Sequence, residues 1–289
     1  MTTYNDISTK IDPAIVEVLS CIKDIADKLG IPFFLVGAKA RDLFFSLLFD
    51  IQTTRATLDI DLGIKVNSWD EVSKLINGIL STSLFSPVNN IKSRFKHNNG
   101  TLIDIVPFGM LEKPIGKIQW PTEDAIMTTN GFEEAYEYSQ IIRIRTSPIL
   151  DIRVCTPPAM VMLKLIAWNE KYPERAKDAQ DIEFILKQYI DAGNDSRLHG
   201  EDKDLLVEGF DYEKASARIL GRDIAKIATA ETISVLLEIL ERETNSKSEF
   251  RLITDMLKGR GSFEDLFATT LSLLRELQTG ISENPGRRK

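Results

Sequence analysis

The feature that most limits the folds open to this chain is the segment at residues 57–64, which reads T-L-D-I-D-L-G-I. Apolar residues alternate there with Asp59, Asp61 and Gly63, and this period of two predicts a β-strand with one apolar and one polar face. Side chains two residues apart on a strand lie on the same face. At a separation of about 5 Å and an effective dielectric of about 20, the two carboxylates repel each other by roughly 3 kcal/mol. A fold that holds them together therefore needs a cation close by.

A D-x-D triplet alone is weak support for a metal site, because about one or two are expected by chance in a chain of this length and composition. Asp202 and Asp204 form a second triplet within the charged run G-E-D-K-D, and we predict that this copy lies in a solvated loop. The first triplet differs from the second in the segments that lie on either side of it.

An anion-binding turn is predicted before the first triplet. Residues 31–36 (I-P-F-F-L-V) form a short apolar strand that runs directly into Gly37, Ala38 and Lys39, followed closely by Arg41. The residues after the turn suit a helix, so free backbone N–H groups and the helix dipole face the turn. These four residues are therefore a candidate nucleotide-binding segment. The alternative is an ordinary corner between a strand and a helix.

A third carboxylate lies on a later strand. Residues 91–96 and 101–107 are predicted strands of a hairpin, with Asn-Gly as the turn signal. Asp104 is a lone acid in the second of these apolar strands, and burying it unpaired would be costly, which favours a functional or metal-bound role. Three carboxylates from two neighbouring strands can bind two divalent ions roughly 3.5–4 Å apart. Asp59, Asp61 and Asp104 are therefore candidate ligands for Mg²⁺ or Mn²⁺, because both ions prefer oxygen ligands.

Two helices in the second half of the chain carry further candidates. The predicted helix at residues 159–168 is apolar on every side apart from Lys164. Either the stem of this lysine is buried and its ammonium reaches the surface, or the ammonium has a phosphate or carboxylate partner in a cleft. In the next helix, Asp178 and Asp181 lie three residues apart on a face that borders the core. The alternative for these acids is a set of helix-surface ion pairs with nearby basic residues.

Composition excludes several classes of protein. Apolar residues make up 43% of the 289 residues, yet no run approaches the roughly 20 apolar residues of a membrane span. The N-terminus lacks a signal-peptide pattern, and Cys21 and Cys155 suit reduced core residues, so we predict a cytoplasmic protein without a membrane segment. The net charge of −7 disfavours non-specific nucleic-acid binding unless basic residues cluster locally. The residues that would form such a cluster are Lys92, Arg94, Lys96, Arg143, Arg145 and Arg153.

The order of these elements resembles the polymerase-β-like nucleotidyltransferase superfamily, and within it the AbiEii and MenT type toxins. The superfamily pattern is a small-residue turn, a D-x-D strand and a third acid on a later strand, matched here by V-G-A-K-A-R, L-D-I-D and L-I-D-I. The segments M-L-K-L-I-A-W and A-K-D-A-Q-D-I resemble the lysine helix and the D-x-x-D helix of the AbiEii type. The resemblance covers residues 33–189. One position departs from the pattern, because Ala38 replaces the second Gly or Ser of the turn.

The resemblance implies an α+β fold: a polymerase-β-like nucleotidyltransferase core with a mixed sheet, followed by a helical C-terminal domain. We place the core domain at residues 1–156 and the helical domain at residues 157–289, since the predicted strands all lie in the first range. The resemblance further implies a metal-dependent transfer of a nucleotide from an NTP to an acceptor. Asp104 is then the general base, Lys164 contacts the nucleotide phosphates, and Asp181 and Asp178 orient Lys164 or the acceptor.

The acceptor and the partners stay open at this point. Relatives in the family act as toxins paired with an antitoxin, and some transfer nucleotides to the 3′ end of tRNA. An RNA, a protein or a small molecule such as an aminoglycoside is compatible with the pattern. Two other classes are a non-catalytic module, in which the carboxylates hold a structural ion and the helices bind a partner, and an ordinary α+β domain whose acids are coincidental.

Overall fold

The first part of the chain is built on a large β-sheet. The computed structural model describes residues 5–53, 57, 59–88, 91–121 and 126–283. The chain divides into two compact units, Met1–Thr156 and Pro157–Lys289. The helices of the first unit are α1 (Pro13–Leu29), α2 (Gly37–Asp42), a π-helical segment (Leu43–Leu48), α3 (Trp69–Ser81) and α4 (Phe132–Glu137). Its strands are β1 (Asn5–Asp6), β2 (Phe33–Val36), β3 (Ile60–Lys65), β4 (Phe85–Val88), β5 (Ile91–His97), β6 (Leu102–Phe108), β7 (Lys117–Gln119), β8 (Ile126–Thr128), β9 (Gln140–Thr146) and β10 (Ile149–Val154).

Eight of these strands form one mixed sheet in the order β1-β9-β10-β2-β3-β6-β5-β4. The neighbours β1 and β9, β10 and β2, and β3 and β6 are parallel, and the other neighbouring pairs are antiparallel. β7 and β8 form a separate two-stranded sheet. The mixed sheet expected from the sequence is confirmed.

Two strand predictions need correction. The strand predicted at residues 57–64 begins at Ile60, so Asp59 precedes β3 instead of lying within it, and residue 58 is outside the described residues. The sequence also predicts no strand where the structure has β1, β4, β7 and β8. These strands have two to four residues each, which is too short for a period of two to stand out.

Local signals account for the helix that precedes β2. α1 begins with Pro13 after Asp12, whose carboxylate accepts a hydrogen bond of 2.8 Å from the N–H of Ala14. It ends at Gly30, which has a φ of +65° and donates its N–H to the last turn. Only two residues, Ile31 and Pro32, lie between Gly30 and the first residue of β2.

The two faces of the central strands differ in what covers them. Leu62, Ile64 and their neighbours Ile103 and Ile105 on β6 are fully buried on one face. On the other face, Gly63 leaves room for the ring of Phe34, since a Cβ on Gly63 would lie 2.3 Å from Cε1 of that ring. Edge-on aromatic contacts extend from Phe34 to the rings of Phe108, Phe132 and Tyr136. This aromatic cluster covers the sheet face on which Gly63 lies, in the part of β3 that comes after Asp61 in the chain.

The second unit is helical. Its described residues, 157–283, contain no strand, as the sequence predicts. Gly221 and Gly280 let two of its helices approach closely, because a Cβ on Gly280 would lie 2.3 Å from the carbonyl oxygen of Arg218. Within the described ranges, no helix has the length and apolar character needed to cross a bilayer. The helices are α5 (Pro157–Glu170), α6 (Ala176–Gln188), α7 (Tyr212–Ile227), α8 (Ala230–Thr244), α9 (Arg251–Met256) and α10 (Phe263–Glu283), with 3₁₀ turns at Asp195–His199 and Lys203–Leu205.

The second D-x-D triplet lies in this unit and differs from the prediction. Asp202 is only 3% exposed, and its carboxylate accepts hydrogen bonds from Arg197 (2.8 Å) and Arg222 (2.7 Å). Asp204 is at the surface and also accepts a bond from Arg222 (2.6 Å). The prediction of a solvated loop is therefore wrong for Asp202, because one arginine five residues away and another in α7 compensate its buried charge.

Candidate active site

The three predicted carboxylates lie at one end of the pair β3 and β6. These strands are parallel, and Asp61 is the direct partner of Asp104 in their register. Asp59 comes immediately before β3. The hydrogen bond from Arg94 to Asp104, together with the charges of Asp104, Asp59 and Asp61, raises the pKa of the Arg94 guanidinium. The strand register, with Asp59 two residues before Asp61, places the three acids and Arg94 at the same end of these strands.

The predicted turn touches the D-x-D segment. Gly37 follows β2 with a φ of +70°, a conformation that favours glycine. Its neighbour Val36 pairs with Asp61 across β2 and β3. A Cβ on Gly37 would lie only 2.1 Å from Oδ2 of Asp61. The backbone of the turn and the carboxylate of Asp61 are thus in direct contact, and this contact requires a residue without a side chain.

The other residues of the turn have different positions. Ala38 is half-buried, and the ammonium of Lys39 donates a hydrogen bond of 2.5 Å to the carbonyl oxygen of Thr57. Burial lowers the pKa of Lys39, against the opposing charges of Asp42, Asp12 and Asp59. Lys39 therefore lies beside the start of the D-x-D segment.

Arg41 points into the first unit. Its side chain is fully buried, and its Nε and Nη2 donate to Oδ1 of Asp42 at 3.1 and 2.6 Å. The structure thus brings Gly37, Ala38 and Lys39 to the carboxylates but holds the guanidinium of Arg41 inside the unit. A direct contact between Arg41 and a nucleotide stays a prediction.

Gly37→Ala is expected to lower both stability and transferase activity. The new Cβ would strain the backbone at positive φ, by about 1 kcal/mol or more, and would displace the Asp61 carboxylate. Gly30→Ala is a matched control, because Gly30 has a φ of +65° but nothing within 4 Å of its Cβ position. Melting temperatures and transfer rates of both variants should show a loss of activity for Gly37→Ala alone. Equal activity of the two folded variants would contradict a role for the contact with Asp61.

Arg94 is the residue that sequence reasoning overlooked at this site. It is the direct partner of Asp104 across β5 and β6. Its Nε donates to Oδ1 of Asp104 at 2.8 Å and its Nη2 to Oδ2 at 2.6 Å. The pairing of Arg94 with Asp104 could have been predicted from the register of the hairpin, because a loop closed by His97 and Thr101 places residue 94 opposite residue 104.

The carboxylates fit a divalent ion in part. Among the described residues, no group of three or more His, Cys, Asp or Glu is arranged to hold a metal. Both oxygens of Asp104 accept hydrogen bonds from Arg94. Asp59 and Asp61 are half-buried oxygen donors, and Mg²⁺ is commonly bound by one or two carboxylates together with water and substrate phosphates. These two residues therefore fit a site for Mg²⁺ or Mn²⁺ that a nucleotide completes, and Asp104 as a ligand stays a prediction.

Lys164, Asp178 and Asp181 come together within the second unit. The ammonium of Lys164 donates to Oδ1 of Asp178 and to Oδ2 of Asp181, both at 2.8 Å. Lys164 is only 8% exposed and Asp181 is fully buried, so the ammonium does not reach the surface as a snorkelling lysine would. Burial alone would lower the pKa of Lys164, but the charges and hydrogen bonds of the two carboxylates outweigh it and raise the pKa. Lys164 is thus held in its charged form.

Arg175 extends this group towards solvent. Its Nε lies 2.6 Å from Oδ2 of Asp178, and its side chain is about half exposed. Asp178 thus forms one ion pair with a nearby basic residue of the kind considered as the alternative, but it is at the same time a buried partner of Lys164. The acids of α6 are consequently more than helix-surface ion pairs.

The six basic residues considered for a nucleic-acid surface do not form one cluster. Lys92, Arg94 and Lys96 lie on β5, whereas the other three lie on β9 and β10, and β2, β3 and β6 separate the two groups in the sheet. Arg143 is paired with Asp151, and Arg153 lies over the ring of Tyr136. A single basic patch spanning all six residues is therefore excluded.

Comparison with known families gives one extensive match. A sequence model of a family described as nucleotidyl transferase AbiEii toxin, type IV toxin–antitoxin system, matches residues 25–269. This range includes the turn, the three carboxylates and the group around Lys164. The comparison with curated proteins found no match.

Several solved structures show distant likenesses. The solution structure of the antibiotic-resistance factor ANT(2″)-Ia has 17% identity and a TM-score of 0.35, and the match covers 67% of this chain and 98% of that one. JHP933 from Helicobacter pylori has 13% identity and a TM-score of 0.33, with 95% and 94% covered. A CCA-adding enzyme in complex with CTP has 17% identity and a TM-score of 0.29, with 98% and 72% covered.

Proposed function

Since the chain belongs to the AbiEii toxin family of nucleotidyltransferases, we propose that it transfers a nucleotide from a nucleoside triphosphate to an acceptor and that this reaction needs a divalent metal ion. The observation that carries the proposal is the register of β3 and β6, which sets Asp61 beside Asp104 while Gly37 contacts the carboxylate of Asp61. An anion-binding turn and a group of acids are therefore adjacent, as a metal–triphosphate substrate requires.

The reaction transfers a nucleoside monophosphate. An acceptor hydroxyl oxygen bonds to the α-phosphorus, the bond from this phosphorus to the bridging oxygen breaks, and pyrophosphate leaves. The hydroxyl proton passes to a base, for which we propose Asp104. In the structure both oxygens of Asp104 accept hydrogen bonds from Arg94.

The remaining residues bind and orient the substrate in this proposal. Asp59 and Asp61 would hold the divalent ion, which supplies positive charge against the phosphate oxygens. The backbone N–H groups of Gly37 and Ala38 and the ammonium of Lys39 bind the triphosphate. Lys164 contributes a charged ammonium to a phosphate, and Asp178 and Asp181 fix its position.

The acceptor that we propose is the 3′ end of an RNA or a protein, and the family points to an antitoxin as a partner. The direct test incubates the folded protein with each α-labelled NTP, Mg²⁺ and either total tRNA or cell lysate. Label should enter one acceptor from one preferred NTP, and EDTA should abolish its incorporation. Sensitivity of the labelled product to ribonuclease or protease then identifies the acceptor class. No incorporation with any NTP, metal and acceptor would contradict the proposed function.

A further inference from the structure

The guanidinium of Arg94 binds Asp104, the third of the three predicted carboxylates. It forms two parallel hydrogen bonds with Asp104, at 2.8 and 2.6 Å, so that each carboxylate oxygen accepts one N–H. Paired bonds of this kind are among the stronger charge-assisted contacts in proteins. A divalent ion that used Asp104 as a ligand would bind one or both of the same oxygens, beside a guanidinium whose positive charge repels it.

The position of Arg94 follows from the sheet. Asp61, Asp104 and Arg94 are consecutive partners across β3, β6 and β5, so their side chains lie on one face. The side chains of Arg94 and Asp104 are 32% and 16% exposed, which leaves the pair partly shielded from solvent. Asp59 and Asp61 are close enough for their charges to act on Arg94 as well. Without a cation here, neighbouring carboxylates about 5 Å apart would repel by roughly 3 kcal/mol for each pair.

We propose that Arg94 is an internal counter-cation, which binds Asp104 in the nucleotide-free protein and competes with a divalent ion for this carboxylate. The inference rests on the proposed function, because it assumes that the acids bind a metal. It adds a positioning residue that sets the metal affinity of the free protein. A divalent ion that binds Asp104 weakens or displaces this paired contact, because the ion and the guanidinium repel each other at the same two oxygens. The free protein therefore binds divalent ions more weakly than its three acids alone would allow.

The test measures Mn²⁺ binding without nucleotide, by titration calorimetry and by the electron paramagnetic resonance signal of free Mn²⁺. Arg94→Gln should lower the Kd for Mn²⁺ at least about tenfold relative to the unmodified protein. Arg143→Gln is the matched control, because Arg143 makes the same paired contact with Asp151 in this sheet, at 2.9 and 3.0 Å and with 20% and 28% exposure. The control should leave the Kd unchanged. An unchanged or higher Kd for Arg94→Gln would overturn the proposal.

A double-mutant cycle separates competition at Asp104 from the general effect of removing a positive charge. In an Asp104→Asn background, Arg94→Gln should change the Kd by less than about threefold, since the contested carboxylate is gone. An equal tenfold tightening in both backgrounds would show a long-range charge effect and would overturn the proposal.

A second variant covers the case in which Arg94→Gln does not fold. Arg94→Lys keeps the charge but cannot form the paired contact, so it should also bind Mn²⁺ more tightly than the unmodified protein. Failure of Arg94→Lys to do so would overturn the inference. If the unmodified protein, Arg94→Gln and Arg94→Lys all bind no Mn²⁺ without nucleotide, the inference is overturned, whereas the metal dependence of the proposed function is contradicted only by transfer that continues in EDTA. Equal binding by the unmodified protein and Arg94→Gln, with nucleotide transfer intact, overturns the inference alone.

Discussion

Asp61→Asn should reduce nucleotide transfer by at least about 10³-fold, equivalent to about 4 kcal/mol of transition-state stabilisation. The substitution keeps the shape of the side chain beside Gly37 and Asp104 but removes the charge proposed to hold the divalent ion. Stability should not fall, because removing this carboxylate relieves its repulsion with Asp59 and Asp104. Single-turnover transfer rates and thermal unfolding of the same samples check both expectations.

The second D-x-D triplet provides the control for Asp61→Asn. Asp204→Asn makes the same chemical change at a surface carboxylate that pairs with Arg222. Its transfer rate should match that of the unmodified protein, with a loss of stability within about 1 kcal/mol. A folded Asp61→Asn protein that transfers nucleotides at the full rate in the presence of EDTA would refute the assignment of the acidic group.

Lys164→Met should have the largest effect on stability. The ammonium compensates two buried carboxylates, and removing one partner of a buried ion pair typically costs about 3–5 kcal/mol. Transfer should fall at least about tenfold, or 1.4 kcal/mol, if the ammonium also stabilises charge on the phosphate. Lys226→Met is the surface control, because Lys226 is 44% exposed and pairs with Asp223 at 2.8 Å. The control should cost less than about 1 kcal/mol.

A triple variant separates the structural role of this group from a role in transfer. Lys164→Met combined with Asp178→Asn and Asp181→Asn leaves no uncompensated buried charge in this group, because Arg175, the other partner of Asp178, is about half exposed. Replacing a complete buried ion pair is often neutral for stability. We therefore expect the triple variant to recover much of the stability lost by Lys164→Met, measured by denaturant unfolding, while transfer stays low. Full transfer by a stable triple variant would show that the three residues only support the fold.

The local structure follows from short-range patterns in the chain. The alternation at residues 57–64 and 101–107 predicts the two central strands, which the structure has at 60–65 and 102–108, and the Asn-Gly turn sets the hairpin register. Asp12, Pro13 and Gly30 predict both ends of α1. These signals act between residues close in sequence, so they are readable without a structure. In the same way, the order of the Gly turn, the D-x-D segment and Asp104 indicates the nucleotidyltransferase superfamily, and the segments around Lys164 and Asp178 indicate the AbiEii type.

The partners of the charged side chains were not readable from these patterns. Arg94 engages both oxygens of Asp104, and Lys164 is enclosed by acids 14 and 17 residues away. The packing of strands and helices determines which oppositely charged side chains lie next to a buried charge. A lysine in an apolar helix has the same sequence pattern whether its ammonium contacts solvent, a phosphate or a carboxylate. The sheet order likewise places β10 beside β2, although more than 100 residues separate them in the chain. Such pairings depend on long-range packing, because they form only when distant segments bury their apolar faces against one another.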